Sequence, residues 1–139
     1  MEELRVIISI KKPDIVVATE TWTNDALGDA LLSVQDYELV ARCDRTDTEG
    51  GRGGGVILWA RKEICVWRIE NKTEFNQCIS VMVKCRCEDI LLHCVYRSPN
   101  SSRENDAKLC KWVNEMRGNN IMIGDFNFPD IDWETGSTG

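Results

Sequence analysis

The stretch Ile121-Met122-Ile123-Gly124-Asp125-Phe126-Asn127 decides the fold of this sequence. A short apolar run of this kind is typical of a strand buried in a sheet, and here polar residues follow at its carboxyl end. The same arrangement occurs earlier, where the apolar run at residues 15–18 leads into Glu20. In layered α/β folds, ligand sites gather at the carboxyl ends of such strands. The two stretches therefore make Glu20 and Asp125 candidates for a functional site.

A third apolar run, at residues 90–95, ends on Tyr96 and forms a predicted hairpin with the strand before it. Taken singly, each candidate has a simpler explanation. An acid after a strand is usually a turn residue or a helix cap, a lone tyrosine is a rim aromatic, and Asp-Phe-Asn forms an Asx turn. The three positions therefore count as a site only in combination.

The remaining pattern predicts an α/β protein with mixed sheets. A helix over residues 2–11 is ended by Pro13, and Ser101-Ser102-Arg103-Glu104 reads as a capping box before a helical stripe that stops at Gly118. Strands are predicted at residues 15–18, 37–41, 55–60, 64–69, 78–87, 90–96 and 121–123.

Composition sets limits on function. With 139 residues and 42% hydrophobic content the chain has room for one domain, and no apolar run approaches the roughly 20 residues of a membrane span. The acidic amino terminus does not resemble a signal peptide, so an intracellular product is expected. A net charge of −6 argues against nonspecific binding to nucleic acid, although carboxylates that hold a cation are compatible with a phosphodiester substrate.

Seven cysteines, an odd number without a C-x-x-C pair, argue against a disulfide scaffold and a zinc ribbon. Most are expected to be small core residues. Cys85 and Cys87 in particular continue the alternation of Val81 and Val83 on one strand face.

Ala18-Thr19-Glu20-Thr21-Trp22 and Ile123-Gly124-Asp125-Phe126-Asn127 resemble two motifs of the endonuclease/exonuclease/phosphatase superfamily. His93-Cys94-Val95-Tyr96-Arg97-Ser98-Pro99-Asn100 resembles a third, and it lies between them, in the order of the family. The sequences of Pro13–Trp22 and Gly124–Trp133 most resemble those of endonuclease domains of non-LTR retrotransposons. The resemblance extends from about Leu4 to Trp133.

This resemblance implies a four-layered α/β sandwich and a role for each matching residue. Glu20 would bind the catalytic Mg²⁺, with Mn²⁺ as a possible substitute, and Tyr96 would lie near the scissile phosphate. Asp125 would orient or deprotonate the attacking water, and Asn127 would help hold the water and the phosphate. The implied substrate is DNA, and the implied location is nuclear if the chain is a retrotransposon endonuclease; no specific protein partner is implied.

Other candidates are weaker. Arg97 and Asn100 could contact a substrate phosphate. The glycine-rich run at residues 51–55 lacks the Lys-Ser/Thr of a P-loop and reads as a loop entering a strand. Asp130-Ile131-Asp132 reads as a solvated turn. His93 is rejected as a general base, because strand alternation places it on the side opposite to Tyr96.

The family pattern also includes an asparagine-bearing first strand, a second aspartate motif and a final Asp-His pair, which this sequence lacks. Residues 1–139 are therefore expected to be one partial domain, truncated at both ends, that cleaves little or nothing by itself. The main hypothesis is a Mg²⁺-dependent DNA endonuclease domain. The alternatives are a phosphatase acting on phosphoinositides or small phosphoesters, and a non-catalytic remnant or interaction module.

Overall fold

The computed structural model describes residues 1–24, 26–44, 54–128, 131–132 and 134–138. A short 3₁₀ helix spans Asp29–Leu32 between the first two strands. In chain order the other elements are α1 (Glu2–Lys11), β1 (Ile15–Thr19), β2 (Tyr37–Cys43), β3 (Val56–Arg61), β4 (Val66–Ile69), β5 (Cys78–Val83), β6 (Ile90–Tyr96), α2 (Arg103–Glu115), β7 (Asn120–Asp125), β8 (Ile131–Asp132) and β9 (Ser137–Thr138).

The strands form two main sheets and a small ribbon. The first sheet has the order β1-β3-β2 and is antiparallel throughout. The second has the order β4-β5-β6-β7, in which β6 and β7 are parallel and the other pairs antiparallel. Helix α2 connects the parallel pair, as such a crossover requires. The predicted mixed sheet and the β5–β6 hairpin are confirmed.

The two sheets pack face to face, and each outer face carries a helix. An apolar layer between the sheets includes Leu58 of β3 and Ile79 of β5. On the other side of the first sheet, Ile8 of α1 packs in a cluster with Trp59, and on the other side of the second sheet α2 contributes Trp112. This helix-sheet-sheet-helix order is the four-layered sandwich that the resemblance implied.

Strand β3 shows how sequence determines this layering. Its residues are apolar almost without interruption because both of its faces are covered. Val56 and Leu58 face the second sheet, whereas Ile57 and Trp59 face α1 and the 3₁₀ helix. The Trp59 Nε1–H donates to the Leu32 carbonyl at 2.9 Å, so the buried indole is also satisfied.

Both long helices occur where they were predicted, with one correction at the second. Helix α1 has the predicted bounds, and Lys12 ends it in the left-handed conformation just before Pro13. Helix α2 is capped by Ser102, whose hydroxyl accepts from the Asn105 N–H at 3.2 Å, one residue later than the capping box starting at Ser101 had predicted. It ends at Glu115, before the predicted stop. In the part of the chain that the structure describes, no helix is long and apolar enough to cross a membrane.

Several burial predictions were wrong at the sheet edges. Ile121 and Ile123 of β7 are 46% and 37% exposed, and β1 is only half-buried, because each strand is the edge of its sheet among the described residues. Strand β5 ends at Val83, so Cys87 is exposed instead of continuing a buried face. Of the seven cysteines, all within the described ranges, only Cys78 and Cys94 are buried, and burial raises the pKa of each to about 12.

Gly124 lies in close contact with the backbone of the neighbouring strand β6. Its φ is +152°, and a Cβ there would lie 1.8 Å from the Val95 carbonyl oxygen on the neighbouring β6. Neither rigid backbone can move aside without breaking the parallel ladder. Only glycine therefore fits immediately before Asp125.

We expect Gly124→Ala to lower the free energy of unfolding by at least about 3 kcal/mol, from a backbone clash combined with an unfavourable φ. Gly118→Ala is the matched control, because its φ is also positive (+83°) but nothing lies within 4 Å of the added Cβ. That control should lose only about 1 kcal/mol. Urea denaturation followed by circular dichroism measures both, and equal losses would contradict the packing explanation.

Candidate functional site

A hydrogen bond between Tyr96 and Glu20 joins the ends of the two sheets. Tyr96, the last residue of β6, is buried in the layer between the sheets, and its hydroxyl donates to Glu20 Oε1 at 2.6 Å. Glu20 follows β1, is exposed, and has a left-handed φ of +52°. The structure therefore brings together two predicted site residues that are 76 positions apart in the chain.

Asp125 and Asn127 lie beside this pair. Asp125 ends β7 and is the register partner of Tyr96 in the parallel ladder. Its Oδ1 accepts from the Asn127 N–H at 3.3 Å, which is the Asx turn considered from sequence, and the Asn127 amide Nδ2 donates to the Arg97 carbonyl at 2.9 Å. All four main candidates thus occupy one end of the sandwich.

Arg97 organises the loop that carries Asn127. Its guanidinium forms a two-point ion pair with Asp106 of α2, with Nε to Oδ1 at 2.8 Å and Nη2 to Oδ2 at 2.9 Å. The third nitrogen, Nη1, donates to the carbonyls of Asn127 at 2.5 Å and Phe126 at 3.3 Å. The group also lies over the Phe128 ring, 4.0 Å from its centroid.

The Arg97 side chain is only 8% exposed and its donors are directed at protein oxygens. This geometry gives Arg97 a positioning role, whereas the phosphate contact suggested from sequence stays a prediction. Asn100, the other weak candidate, is exposed in the turn before α2. Its contact with a phosphate is likewise a prediction.

His93 has the structural role expected for it. It lies on the face of β6 opposite to Tyr96, where its ring meets Trp112 of α2 edge to face with centroids 4.9 Å apart. Nδ1 is hydrogen-bonded to the Ser80 hydroxyl at 2.8 Å and Nε2 to Asn120 Oδ1 at 2.9 Å. Both ring nitrogens are therefore satisfied away from the site.

A polar network fixes the segment that follows Glu20. The Thr23 hydroxyl donates to Asp44 at 2.5 Å and is hydrogen-bonded to Thr21 at 3.1 Å. Asp44 also pairs with Arg42 of β2, whose guanidinium reaches the Leu27 carbonyl at 2.7 Å. Hydrogen bonds to Asp44 and Asp29 raise the pKa of Arg42, so this cation stays charged.

Gln77 connects this segment to Tyr96. Its side-chain oxygen accepts from the Gly55 N–H at 3.1 Å, and its carbonyl accepts from the Tyr96 N–H at 3.0 Å. Gly55, with φ +94°, lies so close to Thr21 that a Cβ would be 2.5 Å from the threonine hydroxyl. Residues 51–53 of the predicted glycine-rich loop lie outside the described residues.

The donor set at the site suits a hard cation. Glu20, Asp125 and Asn127 offer carboxylate and amide oxygens, and Mg²⁺ in proteins is held by one or two carboxylates together with waters and substrate phosphate. Within the described ranges, no three His, Cys, Asp or Glu side chains converge on one point. Asp132, expected in a turn, is instead the last residue of β8; its Oδ1 accepts from the Glu134 N–H at 2.9 Å in the turn that follows, and Asp130 lies outside the described residues.

The protein is thus a four-layered α/β sandwich whose polar site, rich in oxygen ligands, lies where the strands end. A family model for the endonuclease/exonuclease/phosphatase family matches residues 1–138, and the chain therefore belongs to that family. The family name covers hydrolases of phosphoester bonds.

Solved structures share the fold. The endonuclease domain of TRAS1, a telomere-specific non-LTR retrotransposon, is 15% identical with a TM-score of 0.63, over 90% of this chain and 53% of that one. The human Nocturnin catalytic domain is 17% identical with a TM-score of 0.55, over 91% and 57%. TDP2 of D. rerio, complexed with a single strand DNA product, is 19% identical with a TM-score of 0.60, over 96% and 56%. The chain thus spans a little over half the length of these structures, and no curated protein matches it.

Sequence reasoning missed the residues that hold the site in place. Asp106 looked like an ordinary acid in the first turn of a helix, and Gln77 carries no recognisable motif. Arg42 lies in β2 and Asp44 directly follows it, and a spacing of two residues in extended chain puts side chains on one face and could have suggested a pair. Nothing in the sequence shows that this pair reaches the segment after Glu20.

The Arg97–Asp106 pair predicts a defined response to pH. Hydrogen bonding to the Arg97 guanidinium lowers the pKa of Asp106 below its ordinary value of 3.8. Because the pKa is lower in the folded than in the unfolded state, the stabilisation is complete above about pH 4 and is lost as the pH falls through the folded value.

We expect Asp106→Asn to remove this acid-side dependence and to lower the free energy of unfolding at neutral pH by about 2–3 kcal/mol, since it leaves a buried guanidinium unpaired. Glu104→Gln on the same helical turn is the control, because Glu104 forms only an exposed pair with Lys108 and should change stability by less than about 0.5 kcal/mol. Chemical denaturation measures the free energy of unfolding of both variants. It is carried out at pH values from about 3 to about 7, so that the carboxyl groups titrate within the range. An unchanged acid-side slope in Asp106→Asn would contradict the assignment.

Proposed function

We propose that this chain is the metal- and water-binding part of a Mg²⁺-dependent phosphodiesterase that acts on DNA. The observation that carries the proposal is the 2.6 Å hydrogen bond from Tyr96 to Glu20, with Asp125 next to Tyr96 in the sheet register. A purely structural role would not require two carboxylates, a phenol and an amide to lie at the same end of the sandwich.

Each residue has a chemical task that its placement supports. Glu20 is exposed, so its second carboxylate oxygen can take a cation while Oε1 is oriented by Tyr96. Asp125 can accept a proton from a water or orient it, and Asn127 can donate to a phosphate oxygen if its amide leaves the Arg97 carbonyl. A bound Mg²⁺, or Mn²⁺ in its place, would neutralise charge on the phosphate.

A divalent cation also resolves the conflict between an acidic protein and an anionic substrate. The net charge of −6 gives no long-range attraction for a polynucleotide. Local charge neutralisation at Glu20 makes binding possible without a basic surface.

DNA is the favoured substrate because of the relatives. The TRAS1 match is an endonuclease domain and the TDP2 match is bound to a DNA product. We extend this to a DNA endonuclease from or derived from a non-LTR retrotransposon, which would act in the nucleus. A phosphoinositide or small-phosphoester substrate is the alternative within the same family.

The activity of the 139-residue chain alone is expected to be low. It covers 53% to 57% of the matched structures, and groups that act as a unit lose orders of magnitude in rate when one is missing. We therefore propose weak metal binding and little or no turnover, a state close to the non-catalytic alternative.

The metal site can be tested without turnover. Titration with Mn²⁺ should broaden the amide NMR signals of Glu20, Tyr96 and Asp125 before those of other residues. Glu20→Gln should weaken this effect about tenfold or more, because a neutral amide replaces the charged hard ligand. Glu63→Gln is the control, an exposed glutamate beyond the opposite end of β3 that pairs with Arg61. Preferential broadening at Glu63 would contradict the proposed site.

Plasmid nicking tests the catalytic part of the proposal. We expect the purified chain with Mg²⁺ to nick supercoiled DNA no faster than its Asp125→Ala variant. Nicking that Asp125→Ala abolishes would refute the proposed inactivity and would establish the nuclease function directly. Release of phosphate from a soluble phosphoinositide, abolished by the same substitution, would instead favour the phosphatase alternative.

A further inference from the structure

Trp22 is placed unusually for a tryptophan. It is 62% exposed, the largest exposed fraction of any aromatic side chain in the described ranges. Its φ is +54°, and for a bulky residue this left-handed conformation costs about 1–3 kcal/mol. The chain therefore holds a large apolar ring in water through an unfavourable backbone conformation.

The exposure does not come from a loose segment. The Trp22 N–H donates to the Gly54 carbonyl at 3.0 Å, which joins the segment to the residues entering β3. On either side, Thr21 and Thr23 are hydrogen-bonded to each other, and Thr23 is tied to Asp44. Three consecutive residues are thus fixed while only the indole projects.

The indole is also next to the candidate site. Trp22 lies two residues after Glu20, and two residues span at most about 7 Å. A nucleotide adjoining a phosphate bound at Glu20 would therefore be within reach of the ring. A flat aromatic surface at this place can stack on a base of any identity, because every base has a π-face.

We propose that Trp22 is a stacking platform for an unpaired nucleobase adjoining the scissile phosphate, an inference that rests on the proposed function. Bases inside a duplex are already stacked on both faces, so the platform selects single-stranded or unstacked nucleotides. Stacking would also supply binding affinity for nucleic acid, because a protein with a net charge of −6 gains little from electrostatic contacts with phosphates.

Fluorescence anisotropy with a labelled single-stranded oligothymidylate in Mg²⁺ tests this proposal on the whole chain. Trp22→Leu keeps an apolar side chain without a π-face and should weaken binding roughly 5- to 150-fold, the range for one stacked base. Trp22→Phe keeps an aromatic ring and should remain within a few-fold of the unsubstituted chain. Trp67→Leu is the matched control, since Trp67 is a 43% exposed tryptophan on β4, an edge strand of the second sheet.

An abasic oligomer of the same length separates base from backbone. The unsubstituted chain and Trp22→Leu should bind this oligomer equally, and thermal unfolding of both proteins should agree to show that the fold is retained. If the unsubstituted chain binds oligothymidylate and Trp22→Leu binds it equally well, the stacking proposal is overturned while the proposed function stands. If Trp22→Leu loses as much affinity for duplex DNA as for oligothymidylate, the proposed preference for unpaired bases is overturned. If the unsubstituted chain binds neither oligomer, the proposal that its substrate is a nucleic acid is wrong, and the inference about Trp22 is wrong with it.

Discussion

The apolar layer between the two sheets is the constraint on which the site depends. Side chains such as Leu58, Ile79 and Cys94 are fully buried there, and their packing fixes the distance between sheets whose strands come from successive parts of the chain. Tyr96 belongs to this layer through its ring and to the site through its hydroxyl. The Glu20–Tyr96 hydrogen bond is therefore positioned by hydrophobic packing and does not have to organise the fold.

Much of this arrangement could be predicted from the sequence. Apolar runs with polar residues at their carboxyl ends predicted β1, β6 and β7, and the structure places those three ends together. Alternation along β6 also predicted that His93 and Tyr96 face opposite ways. These predictions succeeded because strand periodicity is a local property, and the resemblance supplied the four-layered arrangement that periodicity does not contain.

The errors concern properties that depend on distant residues. Ile121 and Ile123 have the composition of a buried strand, yet burial depends on what covers an edge strand, which no local pattern reveals. Arg97 is a separate case: its phosphate contact stays a prediction, while its ion pair with Asp106 on α2 is a contact between distant residues that the sequence did not reveal. A guanidinium near a site has the same sequence pattern whether it binds substrate or holds a loop, and only the geometry of its donors separates the two roles.

Among the described residues, six that are not glycine have a left-handed backbone conformation, and the three that lie at the site give a separate argument for its location. Glu20, Trp22 and Asn127 all have φ between +45° and +54°, and each lies within three residues of the end of β1 or β7. Such conformations persist only where surrounding contacts determine them, and here the Arg42–Asp44 network holds the first two while Arg97 holds the third. Two separate arginine–aspartate pairs, one with a buried and one with a half-buried arginine, therefore stabilise unfavourable backbone at one end of one sandwich. A fold that needed only stability would relax these segments, so their retention favours a function that requires exposed side chains in fixed positions.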